Sequence, residues 1–149
     1  MAITTLATIL LTLPLGVGAS SDKRFVLGLD GTLSGSSGTA SWTSAGAISD
    51  TGTASSAFTV LGQKGNCFSI VGDNTYTATD GSFTEHIAGS NCFTNNPDDP
   101  RGIFDGRFTI TSGTGRYSGL AGSGTITGED DTLANTFTSI YDGHVTPEH

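Results

Sequence analysis

The sequence predicts an all-β fold, an eight-stranded antiparallel barrel, with a β-sandwich as the alternative. Three observations support this prediction. Apolar and polar residues alternate over most of the chain, Gly, Ser and Thr separate the alternating stretches, and no helical periodicity follows the first 20 residues. The connections are too short to hold a crossover helix, so we expect neighbouring strands to pair antiparallel.

The N-terminal stretch differs from the rest of the 149-residue chain. Residues 3–15 are apolar and rich in threonine, the first charged residue is Asp22, and small residues fill positions 16–20. This pattern predicts a secretory signal peptide at 1–19, a single domain at 20–149 and an extracellular location. A membrane anchor or a buried strand is the alternative, although the apolar run is short for a bilayer span.

Charge and motif content limit the classes of partner and cofactor that we expect for this protein. The chain has 14 acidic and 6 basic residues, a formal net charge of −8. Nucleic acid and anionic lipid both require a basic surface, so we expect neither nucleic acid nor, after signal cleavage, a membrane as partner. The sequence contains no G-x-S-x-G, no H-E-x-x-H and no dinucleotide fingerprint. These absences argue against hydrolase, zinc and nicotinamide chemistry, and we expect no cofactor.

Two cysteines, Cys67 and Cys92, each lie in an Asn-Cys-Phe triplet. In an exported protein two lone cysteines are expected to form a disulfide. Their sequence separation of 25 gives a closed loop worth roughly 3–4 kcal/mol in the chain-entropy model. A metal site is disfavoured because the two cysteines lack the histidine partners of a ligand set, and a catalytic thiol because no partner base is visible.

The alternating stretches define eight or nine short strands. The first is typical, because Phe25, Leu27 and Leu29 lie on one face and polar residues on the other. Asp80-Gly81 predicts a hairpin turn, and two prolines predict an exposed acidic loop over 95–100. The predicted strands are 24–33, 38–43, 55–61, 66–71, 74–78, 82–88, 102–111, 124–128 and 136–145.

The most patterned stretch contains G-T-G-R-Y-x-G-L-x-G-x-G, from Gly113 to Gly124, between two Thr-Ile-Thr runs. It resembles the motif of allene oxide cyclase-like barrels, a group that includes dirigent proteins and bacterial polyketide cyclases. The best match covers residues 108–128, and a looser fit extends over the mature chain. The resemblance implies an eight-stranded barrel, a homo-oligomer such as a dimer or trimer, and relatives that bind or cyclise apolar molecules. It transfers no catalytic residue.

About a dozen residues connect the two strands of this motif, more than a tight hairpin needs. We expect residues 116–120 to form one helical turn that closes a barrel end, with Tyr117 and Leu120 inward. Arg116 would then bond loop carbonyls or pair with an acid such as Asp105. Contact of Arg116 and Tyr117 with a ligand is the alternative. The glycine spacing excludes a phosphate-binding loop.

Two strand faces carry candidate acids. Asp105 and Arg107 lie on the same face of their strand. They would form a candidate active site if that face were interior, but the apolar residues on the other face of the strand favour an exterior position. Glu85 shares a face with Phe83, so its pKa would be raised if it were buried, and it could serve as a general acid or base. A glutamate at the barrel rim is the alternative. His86 points the other way and is expected at the surface.

Further candidates are aromatic or acidic. Trp42, Tyr76 and Tyr141 either line a pocket or pack as ordinary core, since each joins an apolar body to a polar tip. The acidic runs 129–131 and 98–99 lack the spaced ligands of an EF-hand. We expect solvated turns there and no metal site.

These features lead to three hypotheses. The first is a secreted barrel that binds a small apolar ligand, because eight strands can enclose one small molecule. The candidate ligand-binding residues are Trp42, Tyr76, Tyr117, Tyr141 and Arg116. The second is a cofactor-independent isomerase or cyclase that uses Glu85, Asp105 or Tyr76 as its acid or base. The third is a structural secreted protein with a filled core.

Overall fold

The structure of the protein, a computed structural model, describes residues 23–96 and 98–146. These residues form a closed eight-stranded antiparallel barrel, which confirms the predicted fold class. The predicted signal peptide at 1–19 lies outside the described residues. Within them, no helix has the length and apolarity needed to cross a membrane.

Each strand pairs with its neighbours in sequence, and β1 pairs with β8 to close the barrel. Closure leaves no free sheet edge. In chain order, β1 to β8 are Arg24–Ser34, Ser37–Gly46, Asp50–Lys64, Cys67–Ala78, Gly81–Phe93, Arg101–Gly115, Ala121–Asp131 and Thr136–Thr146.

The strands are longer than predicted, and two predictions merge into one strand. Residues 66–71 and 74–78 were expected as separate strands, but both belong to β4. The glycine between them does not end the strand, because Gly72 faces the interior and lets β3 approach closely. A Cβ on Gly72 would lie 2.4 Å from the carbonyl oxygen of Ala57. The predicted hairpin is confirmed, but Asp80 ends its turn and Gly81 already pairs with Ala78 in the ladder.

The connections lie at two ends of the barrel, which differ. At the closed end, residues 47–49, 79–80 and 116–120 connect the strands. At the open end, residues 35–36, 65–66, 94–96 with 98–100, and 132–135 do so. Inward side chains fill the closed half. Trp42 contacts the rings of Tyr76 and Phe83 edge to face, each at 5.8 Å, and Tyr76 stacks on Phe83 at 4.6 Å.

Residues 116–120 close this end as predicted, but they form hydrogen-bonded turns and not the expected helical turn. The Tyr117 side chain is buried, and its ring lies 5.1 Å from that of Phe83. Its hydroxyl donates a 2.6 Å hydrogen bond to Asp50, and Arg116 donates to the same carboxylate oxygen at 3.1 Å. The acid that pairs with Arg116 is therefore Asp50 and not Asp105. Asp105 lies exposed on the outer face of β6, the orientation that its strand pattern favoured.

Cys67 and Cys92 form a disulfide, with their sulfur atoms 2.07 Å apart, which confirms the predicted pairing. The two residues lie directly opposite each other on β4 and β5. Because successive strand residues face opposite sides, the disulfide lies outside the barrel, and Phe68 and Phe93 after it point inside. The two phenyl rings meet edge to face at 5.9 Å.

Candidate functional site

A cavity of about 440 Å³ occupies the open half of the barrel, a size typical of sites for small molecules. Its walls are mainly apolar. Inward positions on five strands each contribute a phenyl ring, and Leu33, Ile70 and Ile87 complete the apolar surface. The five rings belong to Phe58, Phe68, Phe93, Phe104 and Phe137.

Small inward residues keep this half of the barrel open. Ser56, Gly128 and Ser139 line the cavity where larger side chains would fill it. The Phe104 ring lies close to the backbone of two glycines, because a Cβ on Gly89 or on Gly106 would be 2.8 Å from it. The absence of a side chain at these two positions therefore leaves room for the ring at the barrel wall.

The inner end of the cavity is polar. Asn74 from β4 and Tyr141 from β8 line it, and the Asn74 Nδ2 donates a 2.9 Å hydrogen bond to the Tyr141 hydroxyl. The same amide nitrogen donates to Glu85 Oε1 at 3.1 Å. Tyr76 donates to that oxygen at 2.5 Å. A ligand entering from the open end would thus meet Asn74 and Tyr141 first, with Glu85 directly behind them.

Glu85 is 1% exposed, so the interpretation of it as a rim residue is wrong. Burial raises the pKa of Glu85 to about 7, although the hydrogen bonds from Tyr76 and Asn74 act in the opposite direction. Burial also raises the pKa of Tyr76 and of Tyr141, and the nearby Glu85 charge adds to both shifts. Glu85 is therefore the group in this cluster that changes its protonation state near neutral pH.

A second polar pair lies on the cavity wall. Asp130 is 9% exposed, and Asn91 Nδ2 donates a 2.7 Å hydrogen bond to its Oδ1. The bond spans β6 above Gly102, where a Cβ would lie 2.6 Å from Asp130 Oδ1 and 2.7 Å from Asn91 Oδ1. Only glycine leaves room for this contact. Burial raises the pKa of Asp130 above its ordinary value.

The pairing of Asp130 with Asn91 was not predicted from the sequence. Residues 129–131 were predicted to form a solvated turn, but they belong to β7, and the strand alternation turns Asp130 inward. The sequence did carry a signal for this orientation: Asp130 lies two residues after Gly128, so a longer strand would place both on the inward face. In the described part of the chain, no group of three or more His, Cys, Asp or Glu side chains is arranged to hold a metal ion.

The structure separates the remaining predicted site residues. Tyr141 lines the cavity, whereas Tyr76 and Trp42 are buried in the core beneath it. Tyr117 and Arg116 lie at the closed end and do not line the cavity. Their observed contacts close the barrel end, and we call residues 116–120 the stopper.

His86 is exposed on the outer face, as predicted. It nevertheless has a carboxylate partner, which the sequence did not reveal, because Nδ1 lies 3.0 Å from Asp73 Oδ1. The two residues are directly opposite on β4 and β5. The pair lies on the outer surface, away from the Glu85 cluster.

Comparisons of the chain with protein-family models, curated proteins and solved structures find no match. The allene oxide cyclase-like resemblance of residues 108–128 stays a prediction. In the barrel, this segment forms the end of β6, the stopper and the start of β7.

Proposed function

We propose that this protein binds a small, largely apolar molecule in its barrel cavity, where the few polar residues of the lining orient it. The observation that supports it best is the cavity of about 440 Å³, lined by five phenyl rings and polar at its inner end. Apolar walls supply binding energy, and a few polar groups fix the orientation of a ligand. A purely structural barrel would gain stability by filling this space.

Two adjacent serines on β3 allow a matched test. Ser56 faces the cavity opposite Asn74, whereas Ser55 faces solvent. Ser56→Trp would place an indole in the cavity, and Ser55→Trp would add the same group outside. After exposure to an apolar extract, native mass spectrometry should detect an adduct on the wild type and on Ser55→Trp but not on Ser56→Trp. Equal adducts on both variants, or none on the wild type, would contradict binding in the cavity.

A second candidate function is a cofactor-independent isomerase or cyclase, which the buried Glu85 favours. A carboxyl with a pKa of about 7 is suited to proton transfer near neutral pH. Glu85 does not line the cavity, so its proton would have to reach a ligand past Asn74 and Tyr141.

Isomerisation and cyclisation conserve mass, which defines the assay. Incubation of the protein with apolar extracts should convert a compound into a product of equal mass and different retention time. Glu85→Gln should abolish the conversion and retain binding. Conversion at the wild-type rate by Glu85→Gln would exclude Glu85 as the acid or base.

The disulfide supports the proposal that the protein works in an oxidising compartment, as a secreted protein does. Expression of the full chain in a secretion-competent host tests this proposal. The protein should accumulate in the medium and lack an N-terminal segment of about 19 residues. Retention of the intact chain in cells would argue against secretion.

A further inference from the structure

We propose that the cavity selects ligands that carry a cationic amine, and that Asp130 and Asn91 form the amine-binding position on its wall. This inference rests on the proposed binding function and specifies the chemical class of the ligand. It concerns a pair of residues separate from the Asn74–Glu85 cluster.

The charge of the cavity favours a cation. Among the described residues that line it, the charged ones are the acids Glu129 and Asp130, and strand alternation turns Asp130 inward and Glu129 outward. Glu85 behind the inner end is a third acid. A ligand carboxylate would be desolvated here without a basic partner, which is costly, whereas an ammonium group would be paired.

Asp130 has unused hydrogen-bonding capacity. Its carboxylate accepts from the Asn91 side chain and from its own backbone N–H, which uses two of about four acceptor positions. The Oδ1 atom of Asn91 is itself buried without a hydrogen-bond partner. Buried acceptors that lack donors destabilise a structure. An ammonium group has three donors and no acceptor, which complements this pair better than a carboxylate or a single hydroxyl.

The surrounding aromatic rings also favour a cation. Phe104 on β6 lies directly opposite Asn91 on β5, and Phe93 on β5 lies directly opposite Gly102 on β6. The faces of phenyl rings attract ammonium groups within about 6 Å of the ring centre. Burial raises the pKa of Asp130, and a bound cation would offset that shift by stabilising the carboxylate.

Three ligands of equal chain length test the inference: octylammonium, 1-octanol and octanoate, compared at neutral pH by isothermal titration calorimetry. The wild type should bind octylammonium about 10- to 100-fold more tightly than 1-octanol, and octanoate most weakly. Asp130→Asn should remove the preference for the amine, so that octylammonium binds no more tightly than 1-octanol. Asp105→Asn removes the same charge from the outer surface, and it should behave like the wild type.

The possible results distinguish the two proposals. If 1-octanol binds but octylammonium is not preferred, or if Asp130→Asn keeps the preference, the amine inference is wrong and the binding function stands. If none of the three ligands binds, the binding proposal fails and the inference fails with it. If Asp130→Asn does not fold, the order of the wild-type affinities decides.

Discussion

Tyr76 donates a 2.5 Å hydrogen bond to Glu85, and neither side chain is more than 1% exposed. The bond joins β4 and β5 inside the barrel, and Asn74 extends it to Tyr141 on β8. A buried carboxyl is tolerated here because donors from β4 satisfy one of its oxygens. Its protonation equilibrium is nevertheless displaced towards the neutral form, and this has a consequence for stability.

The free energy of unfolding should fall as the pH rises from about 4.5 to about 7. The pKa of Glu85 is raised from 4.5 to about 7, so the folded state binds a proton in this window that the unfolded state has lost. The loss should be roughly 3 kcal/mol and complete above the folded-state pKa. Urea denaturation of the wild type and Glu85→Gln at a series of pH values measures it.

Glu85→Gln isolates the contribution of Glu85, because Asp130 also has a raised pKa and acts with the same sign. The variant should lose most of the slope between pH 4.5 and 7. A slope equal to that of the wild type would show that Glu85 does not titrate in this window.

Tyr117→Ala should destabilise the barrel by about 3–5 kcal/mol, because it removes a buried aromatic side chain that seals the closed end. Tyr117→Phe should cost only about 1 kcal/mol, since it loses the hydrogen bond to Asp50 and keeps the packing on Phe83. Chemical denaturation gives both values. Ligand affinity at the open end should not change. A variant of unchanged stability that binds ligand poorly would identify Tyr117 as a ligand contact instead.

Replacing both Cys67 and Cys92 by Ser should lower the free energy of unfolding by roughly 3–4 kcal/mol, because the disulfide closes a loop of 25 residues. The two side chains lie on the outer surface, so the substitution leaves no internal void. Guanidinium denaturation of the oxidised protein and the variant measures the difference. An unreduced mass without the loss of two hydrogens would show that the bond does not form.

The strands and their antiparallel pairing were predictable because they depend on local pattern, and the disulfide was predictable because the chain has two cysteines. Alternation in β1 places Phe25, Leu27 and Leu29 on one face, and the structure buries all three. The stopper was predictable for a similar reason, since a connection rich in glycine between two clear strands has to turn back. The pairing of Arg116 with Asp50 was not predictable, because the two residues are 66 positions apart in the chain.

The position and lining of the cavity could not be predicted, because they depend on which inward residues lie at the same height in the barrel. That height is set by the stagger of the strands, which sequence alternation does not specify. The two polar residues at its inner end, Asn74 and Tyr141, are 67 residues apart, and Asn74 lay beside a predicted strand break. Alternation placed Glu85 on an apolar face, but only closure of the barrel shows that this face is buried.

Gly102→Ala should disrupt the polar pair on the cavity wall. The new methyl group would lie 2.6 Å from Asp130 Oδ1 and 2.7 Å from Asn91 Oδ1, so the hydrogen bond between these side chains must break or shift. The loss of a buried hydrogen bond to a carboxylate should cost about 1–3 kcal/mol in the free energy of unfolding.

Gly28→Ala is the matched control, because a Cβ at that strand position would have nothing within 4 Å. That variant should be neutral or slightly stabilised, since alanine restricts the unfolded chain more than glycine does. Urea denaturation compares the two variants. If they are equally stable, the pair has room to move without cost, and Gly102 is not needed to hold it. If Gly102→Ala is destabilised as expected and also loses its affinity for octylammonium, the rigid placement of Asp130 on the wall is what the bound amine requires.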